Sequence, residues 1–303
     1  MLDVSVIVCT LNRAEILERC LASIIQAAQS AWAITQVAIE LIVVDNNSTD
    51  STQATAKVFA AGASIPVHVL TERRPGVCRA KNTGVRQANG KVLVFTDDDC
   101  VMDPNYFLDL KRHYDADTGP IVRGGRVELG DKSDLPITIK TDDNKARLSD
   151  WNHPGGFIHG CNLTMSREVF DAISGFDEEF GPGAVFIAAE DTELLFRARE
   201  HGFPIEYVPD MPVHHFHGRR DYSQVAKLWR QYQIGNGALI AKYRGRRALG
   251  KHLYWDARKA AMEIAGGKPF DVDLKLSHAT FVAGQLQGML LYFRHKALHR
   301  DRA

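Results

Sequence analysis

Val92-Leu93-Val94-Phe95-Thr96-Asp97-Asp98-Asp99 runs four apolar residues almost straight into three consecutive carboxylates. The apolar part has the length and residue types of a buried strand, so the acidic triplet falls at a strand end. Three neighbouring carboxylates repel one another, and a bound divalent cation is the simplest remedy. Their hard oxygens suit Mg2+ or Mn2+, which also bridge to phosphate. The plainer alternative is a solvated acidic turn, with Asp103 doing no more than capping a helix that opens at Pro104. What the strand belongs to decides between them.

Upstream, strands and helices alternate. Val4 to Cys9 and Ile39 to Val44 read as buried strands, as do Pro66 to Leu70 and Val92 to Phe95. Asn12 with Glu15 has the spacing of a capping box. Ile16, Leu17, Cys20, Leu21, Ile24, Ile25 and Ala28 give the helix behind it one apolar face. Two more helices are expected, one after Ser48 and one near Arg79 to Ala88. The order β-α-β-α-β-α-β implies a parallel sheet with right-handed crossovers, an α/β fold whose ligands bind beyond the carboxyl ends of the strands. The triplet lies on that edge, and so do Thr10 and Asp45, so the cation reading is the stronger one. An acidic side chain after the second strand suits a ribose hydroxyl or a base N–H, although Asp45 to Asp50 is also ordinary turn and cap chemistry. Neither a G-x-G-x-x-G fingerprint nor a P-loop is present.

Further on, Gly124 to Gly156 is polar and turn-rich, either a mobile active-site loop or a plain insertion. Glu190-Asp191 opens a helix that runs to His201. Carboxylates in a first turn are favoured by the helix dipole in any case, and one of them could instead serve as general base toward a hydroxyl. His214-His215-x-His217 lacks a standard zinc spacing; either one of the three assists the cation or its phosphates, or they are a surface cluster.

Composition bounds the rest. The 303 residues are 45% hydrophobic, with 37 Lys+Arg against 37 Asp+Glu. Disordered, collagen-like and multi-spanning membrane classes are excluded, and a neutral chain offers no general case for nucleic-acid binding. The zero is uneven: 20 basic and 31 acidic residues precede Met211, and 17 basic and 6 acidic follow it. The five cysteines are scattered, as expected for buried residues in a reducing cytosol. Met1 to Thr10 reads as a strand and not a leader, and no apolar run is long enough to span a bilayer. From His217 the chain is helical and basic, ending in a helix over about Leu274 to His299 with Arg294, Lys296 and Arg300. That third either packs on the rest or rests on an anionic membrane surface.

In order and spacing, six strings resemble family 2 glycosyltransferases over about residues 3 to 217. They are Val6-Ile7-Val8-Cys9-Thr10-Leu11-Asn12-Arg13, Val43-Val44-Asp45-Asn46-Asn47-Ser48, Ala80-Lys81-Asn82-Thr83-Gly84, the triplet, Gly160-Cys161-Asn162 and Glu190-Asp191. The resemblance implies a GT-A domain over residues 1–217, a basic helical extension over residues 218–303, a nucleotide-sugar donor (a UDP-sugar by default) and inverting transfer. Position by position, it implies that Thr10 and Asp45 hold the nucleoside, with Asp45 on the base. Lys81 and Asn82 would sit near the donor, and Asp97 would meet ribose or donor. Asp99 would ligate the cation on the diphosphate, with His215 or a neighbour as a further contact, and Asp191 would be the catalytic base. Asn12, Arg13, Asn47, Asp98, Gly160, Asn162 and Glu190 count as donor-side positions through their strings. The Q-x-x-R-W motif of processive synthases is absent; Trp229-Arg230-Gln231-Tyr232 matches it only faintly, which implies single-sugar transfer. The implied acceptor is a glycan or lipid-linked saccharide of polysaccharide or lipopolysaccharide synthesis, met in the cytoplasm or on the inner face of the membrane. A sugar nucleotidyltransferase would want a glycine-rich loop where Thr10-Leu11-Asn12-Arg13 stands. A non-catalytic binding protein would have no need of Asp191.

Overall fold

The computed structural model describes residues 3–299; Met1, Leu2 and Arg300 lie outside the described residues. Strand and helix alternate as β1 (Val4–Thr10), α1 (Ala14–Thr35), β2 (Ile39–Asp45), α2 (Thr52–Gly62), β3 (Val67–Thr71), α3 (Val77–Gln87) and β4 (Val92–Asp97). Short strands and helices follow: β5 (Cys100–Met102), α4 (Tyr106–Ala116), β6 (Val122–Gly124), β7 (Val127–Leu129), β8 (Ala146–Arg147), β9 (Leu163–Ser166) and α5 (Arg167–Ala172). Then come α6 (Glu190–Glu200), β10 (Ile205–Tyr207), β11 (Val213–His215) and three long helices, α7 (Tyr222–Lys242), α8 (Arg247–Ile264) and α9 (His278–Leu298).

The main sheet has the order β3-β2-β1-β4-β9-β6-β10-β8. Its first four strands are parallel, and β9 runs antiparallel between β4 and β6. Alternation along β1 divides the core: Val4, Val6 and Val8 pack in the layer of α1 and α4, while Ile7 joins that of α3, α5 and α6. The register aligns Thr10 with Asp45 and Cys9 with Asp97, so three strand ends finish level at one edge. A tight turn at Asp98 and Asp99 then passes the chain into a second sheet, β5-β11-β7.

Local chemistry departs from expectation where polar side chains bond across loops. Asn12 does not cap the first helix, and its capping box with Glu15 does not form: Arg13 is the flanking residue and no side chain caps it. Asn12 adopts φ 54° instead; its N–H donates to Ser48 Oγ and its Oδ1 accepts from Thr49 N, which ties the loops after β1 and β2 together. Asp50 closes a turn onto Thr52 N, so the second helix starts later than the sequence suggests. Asp103 likewise accepts from Asn105 N and the next helix begins at Tyr106, not at Pro104. The polar stretch after Gly124 is an anchored excursion, with reciprocal backbone bonds between Val127 and Lys140 and a bond from Tyr207 OH to Asp142 O.

Among the last helices, α9 lies tightly on α7. A Cβ at Gly288 would fall 1.9 Å from Ile234 O, and one at Gly237 would fall 2.0 Å from Gln285 O. Ala238, Leu239 and Ile240 of α7 share a buried cluster with Phe180, Phe186 and Phe196, so the helical extension packs on the sheet unit. No helix among the described residues is long and apolar enough to cross a membrane.

Candidate functional site

The level strand ends form the floor of the site. Asp45 is buried, and its Oδ1 accepts the Ser48 N–H at 3.0 Å. Thr10 is buried beside it, in register. Asn46, which turn chemistry alone does not single out, clamps the neighbouring loop: its Nδ2 donates to Glu72 O and Arg74 O, and its Oδ1 accepts from Gly76 N. Asn47 beside it is exposed at φ 69°. Arg13 is exposed at the rim, its backbone N–H bonded to Thr52 Oγ1.

Lys81 rises from α3 and is only 3% exposed. The helix comes close enough because of Gly84, where a Cβ would fall 2.7 Å from Ile7 Cγ2. Burial opposes the ammonium charge, yet the carboxylates of Asp97 and Glu190 outweigh it and hold Lys81 well above its ordinary pKa. Asn82 points elsewhere: it exchanges two 2.9 Å hydrogen bonds with the backbone of Phe176, which makes it a structural staple.

The carboxylates of the triplet differ in state. Burial raises Asp97 above the carboxylate range and pushes Asp98 up to about 7. Burial also disfavours the charge on Asp99, but the imidazole of His215 prevails and lowers it. His215 Nε2 lies 3.3 Å from Asp99 Oδ1, and Asp99 raises His215 to about 9 against the effect of burial. Strand alternation turns His214 away from His215, while the His217 ring, beyond the strand, stands edge-on to that of His215 with centroids 5.3 Å apart. His215 faces Asp99. His214 lines a surface hollow with Asp103, Arg126 and Glu128. His217 is bound to Leu135 O and Arg219 N.

A divalent cation fits this corner. Asp99 Oδ1 is buried and makes no aligned hydrogen bond among the described residues. Ligand atoms of Asp99, Cys100 and His215 lie within 4.8 Å of one another.

Across the site stands the N-terminus of α6. Asp191 Oδ2 accepts from Gly160 N at 3.2 Å, and its Oδ1 accepts from Thr192 N at 2.6 Å. A Cβ placed on Gly160 would sit 3.6 Å from Lys81 Nζ and 3.7 Å from Asp191 Oδ2, so these charges share one space. Burial, then the charge of Asp191, pushes Glu190 up to about 7. Asn162 lies beneath with every polar atom used: it donates to Arg126 O and Met211 O and accepts from Tyr106 OH. Its side chain is thereby taken up in bracing the loops beneath the site. Burial raises the phenol of Tyr232 on α7 and the charges of Asp191 and Glu190 add to the effect, while Gly235 on the same helix lies against Ala188 just ahead of α6. The segment Trp229-Arg230-Gln231-Tyr232 was the available signal for Tyr232.

Parallel strand ends carrying Thr10, Asp45 and Asp97, a corner that a divalent cation fits and a carboxylate at a helix start suit a group-transferring enzyme. The family description "Glycosyl transferase family 2" matches residues 5–174, more than half of the chain, and the chain belongs to that family. It is a glycosyltransferase with a GT-A-like α/β fold. Glycosyltransferase AglE of Haloferax volcanii is 24% identical over 78% of this chain and 73% of its own length. The dTDP-rhamnosyl transferase RfbF of Shigella flexneri is 22% identical over 67% of this chain and 70% of its own. The chain spans only 41% of another relative, the probable glycosyltransferase YdaM of Bacillus subtilis. Among solved structures, mannosyltransferase PcManGT from Pyrobaculum calidifontis, in complex with GDP-Man and Mn2+, superposes with a TM-score of 0.61 at 19% identity, covering 99% of this chain and 88% of that one. S. aureus TarS 1-349 in complex with UDP-GlcNAc superposes at 0.58 and 14% identity, covering 99% and 92%.

Glu190 makes the electrostatic cost of this site measurable. Its carboxyl binds a proton more tightly folded, at about 7, than unfolded, at about 4.3. Stability is therefore lost as pH rises through that window, with no cost below it and the full cost above it. Glu190→Gln should melt at a higher temperature than wild type at pH 8, and the gap should close toward pH 4. A gap that does not change with pH contradicts the assignment.

Proposed function

We propose that the enzyme moves a single sugar, with inversion, from a nucleotide-sugar donor, a UDP-sugar in the first instance, to a hydroxyl of a glycan or lipid-linked saccharide. The observation that carries this reading is that Asp191, held by the Gly160 N–H, shares one space with the Lys81 ammonium at the strand-end edge. The neighbours bound to GDP-Man and UDP-GlcNAc support a nucleotide-sugar as donor. In this reading residues 1–217 are the catalytic unit and residues 218–303 an annex to it.

Asp45 and Thr10 hold the nucleoside, and Asn46 keeps the facing loop in place for it. Asp99 and His215 would hold Mg2+ or Mn2+, which supplies positive charge to the diphosphate and eases its departure. Asp97, beside the Lys81 ammonium, is left to hydrogen-bond the donor. Asp191, oriented by the Gly160 and Thr192 N–H groups, takes the proton of the acceptor hydroxyl. The new C–O bond forms at the anomeric carbon as the bond to the diphosphate oxygen breaks, and the nucleoside diphosphate leaves with the electron pair. Opposite-face attack inverts the centre.

Asp191→Asn keeps the hydrogen-bonding shape but cannot take the proton. Its kcat should fall by about 10²–10⁴ while donor affinity stays within about twofold. Wild-type turnover in this variant sinks the role of Asp191.

We also propose that the annex rests on an anionic membrane surface in polysaccharide or lipopolysaccharide synthesis. Tyr254, Trp255 and Met262 on α8 and Leu290 and Phe293 on α9 are exposed apolar groups. Exposed Lys251, Arg258, Lys259 and Arg294 lie among them, a combination suited to an anionic interface. In flotation, the full chain should rise with vesicles rich in anionic lipid and stay behind with neutral ones. Absence from both refutes it.

A further inference from the structure

The cation corner contains a ligand that its role in binding Mg2+ or Mn2+ does not explain. β5 and β11 pair antiparallel, with His215 directly opposite Cys100. Directly paired residues project to the same face of a sheet, with Cβ atoms about 4.5–5.5 Å apart. Asp99 immediately precedes β5, so the carboxylate, thiol and imidazole converge with their ligand atoms within 4.8 Å of one another. Metal bonds of about 2.0–2.3 Å put tetrahedral ligand atoms roughly 3.3–3.8 Å apart, which small side-chain rotations reach from here. Cys100 is fully buried, Asp99 and His215 are 9% and 7% exposed, and Asp99 Oδ1 lacks an aligned hydrogen bond. The group is therefore a built, enclosed set of donors.

Donor softness determines which ion such a set prefers. Mg2+ takes oxygen ligands almost exclusively and keeps much of its water, whereas a thiolate with an imidazole favours Zn2+ and Co2+. We infer that Asp99, Cys100 and His215 form a mixed oxygen-sulfur-nitrogen site that takes a thiophilic divalent cation of the Zn2+ and Co2+ class. In that site Cys100 is the thiolate ligand. Burial keeps the cation-free Cys100 protonated, with the neighbouring Cys161 adding to the effect, so binding releases the thiol proton to solvent. A Zn2+ ion held this way occupies the place of Mg2+ or Mn2+ at Asp99 and His215 and competes with either. The inference rests on the proposed cation role of Asp99 and His215 and adds the third ligand and the metal preference.

The test is a Co2+ titration of the metal-stripped full chain, followed by near-ultraviolet absorption, with Mn2+ uptake read in parallel from loss of the free-ion paramagnetic resonance signal. A thiolate-to-Co2+ charge-transfer band should saturate at one equivalent, be bleached by Zn2+ and resist Mg2+ at equal concentration. Cys100→Ser should lose the band and weaken Zn2+ binding at least about tenfold while still taking up Mn2+, which also reports that it is folded. Cys161→Ser should keep the band. Mn2+ uptake with no charge-transfer band in the wild type overturns this inference alone, as does a band that survives Cys100→Ser or disappears only in Cys161→Ser. Failure of both metals to bind overturns the proposed cation role along with it.

Discussion

Everything in the site depends on keeping several carboxylates together without their repulsion unfolding the edge of the sheet. Lys81 is the central answer. Its ammonium is enclosed between the strand end at Asp97 and the helix start at Glu190, and the attraction of both outweighs its burial. His215 does the same for Asp99. Neither pairing is complete: Asp97, Asp98 and Glu190 still titrate above the ordinary carboxylate range. The protein therefore holds an incompletely neutralised anionic cluster, an arrangement with electrostatic room for a cation.

That arrangement constrains the fold around it. Gly84 lets α3 approach β1 closely enough to deliver Lys81. The β4-to-β5 turn carries Asp98 and Asp99 out of the main sheet, and the second sheet returns His215 to them. Asn82 and Asn162 spend their side chains on backbone partners that fix the loops beneath. The C-terminal helices close the far side through the cluster of Phe180, Phe186 and Phe196 with α7. The acidic first portion and basic last portion of this neutral chain therefore meet at the start of α6, where Gly235 of α7 lies against Ala188.

Local rules made the floor of the site legible in the sequence. Buried strands ending in Thr10, Asp45 and Asp97 follow from apolar runs and their punctuation, and parallel pairing brings those ends level. The parts that were not legible are set by long-range pairing. Nothing near His214, His215 and His217 tells which faces Asp99; the register of β11 against β5 decides it. Asn12 has good capping spacing, but bonds to Ser48 and Thr49 across the loop hold it in another geometry. Asn82 and Asn162 sit in the strings that resemble the family, yet hydrogen bonds to residues far along the chain show that they brace the site. Cys100 looked like one scattered cysteine until the second sheet set it opposite His215.

The central claim is that this edge binds a nucleoside diphosphate through a divalent cation held by Asp99 and His215. Calorimetric titration of UDP and GDP into the wild-type protein and Asp99→Ala, in Mn2+ and in chelator, tests it most directly. The account predicts binding of at least one of the two nucleotides in Mn2+, weakened at least about tenfold both by chelator and by Asp99→Ala. Equal affinity with and without the cation, or no binding of either nucleotide, would contradict it.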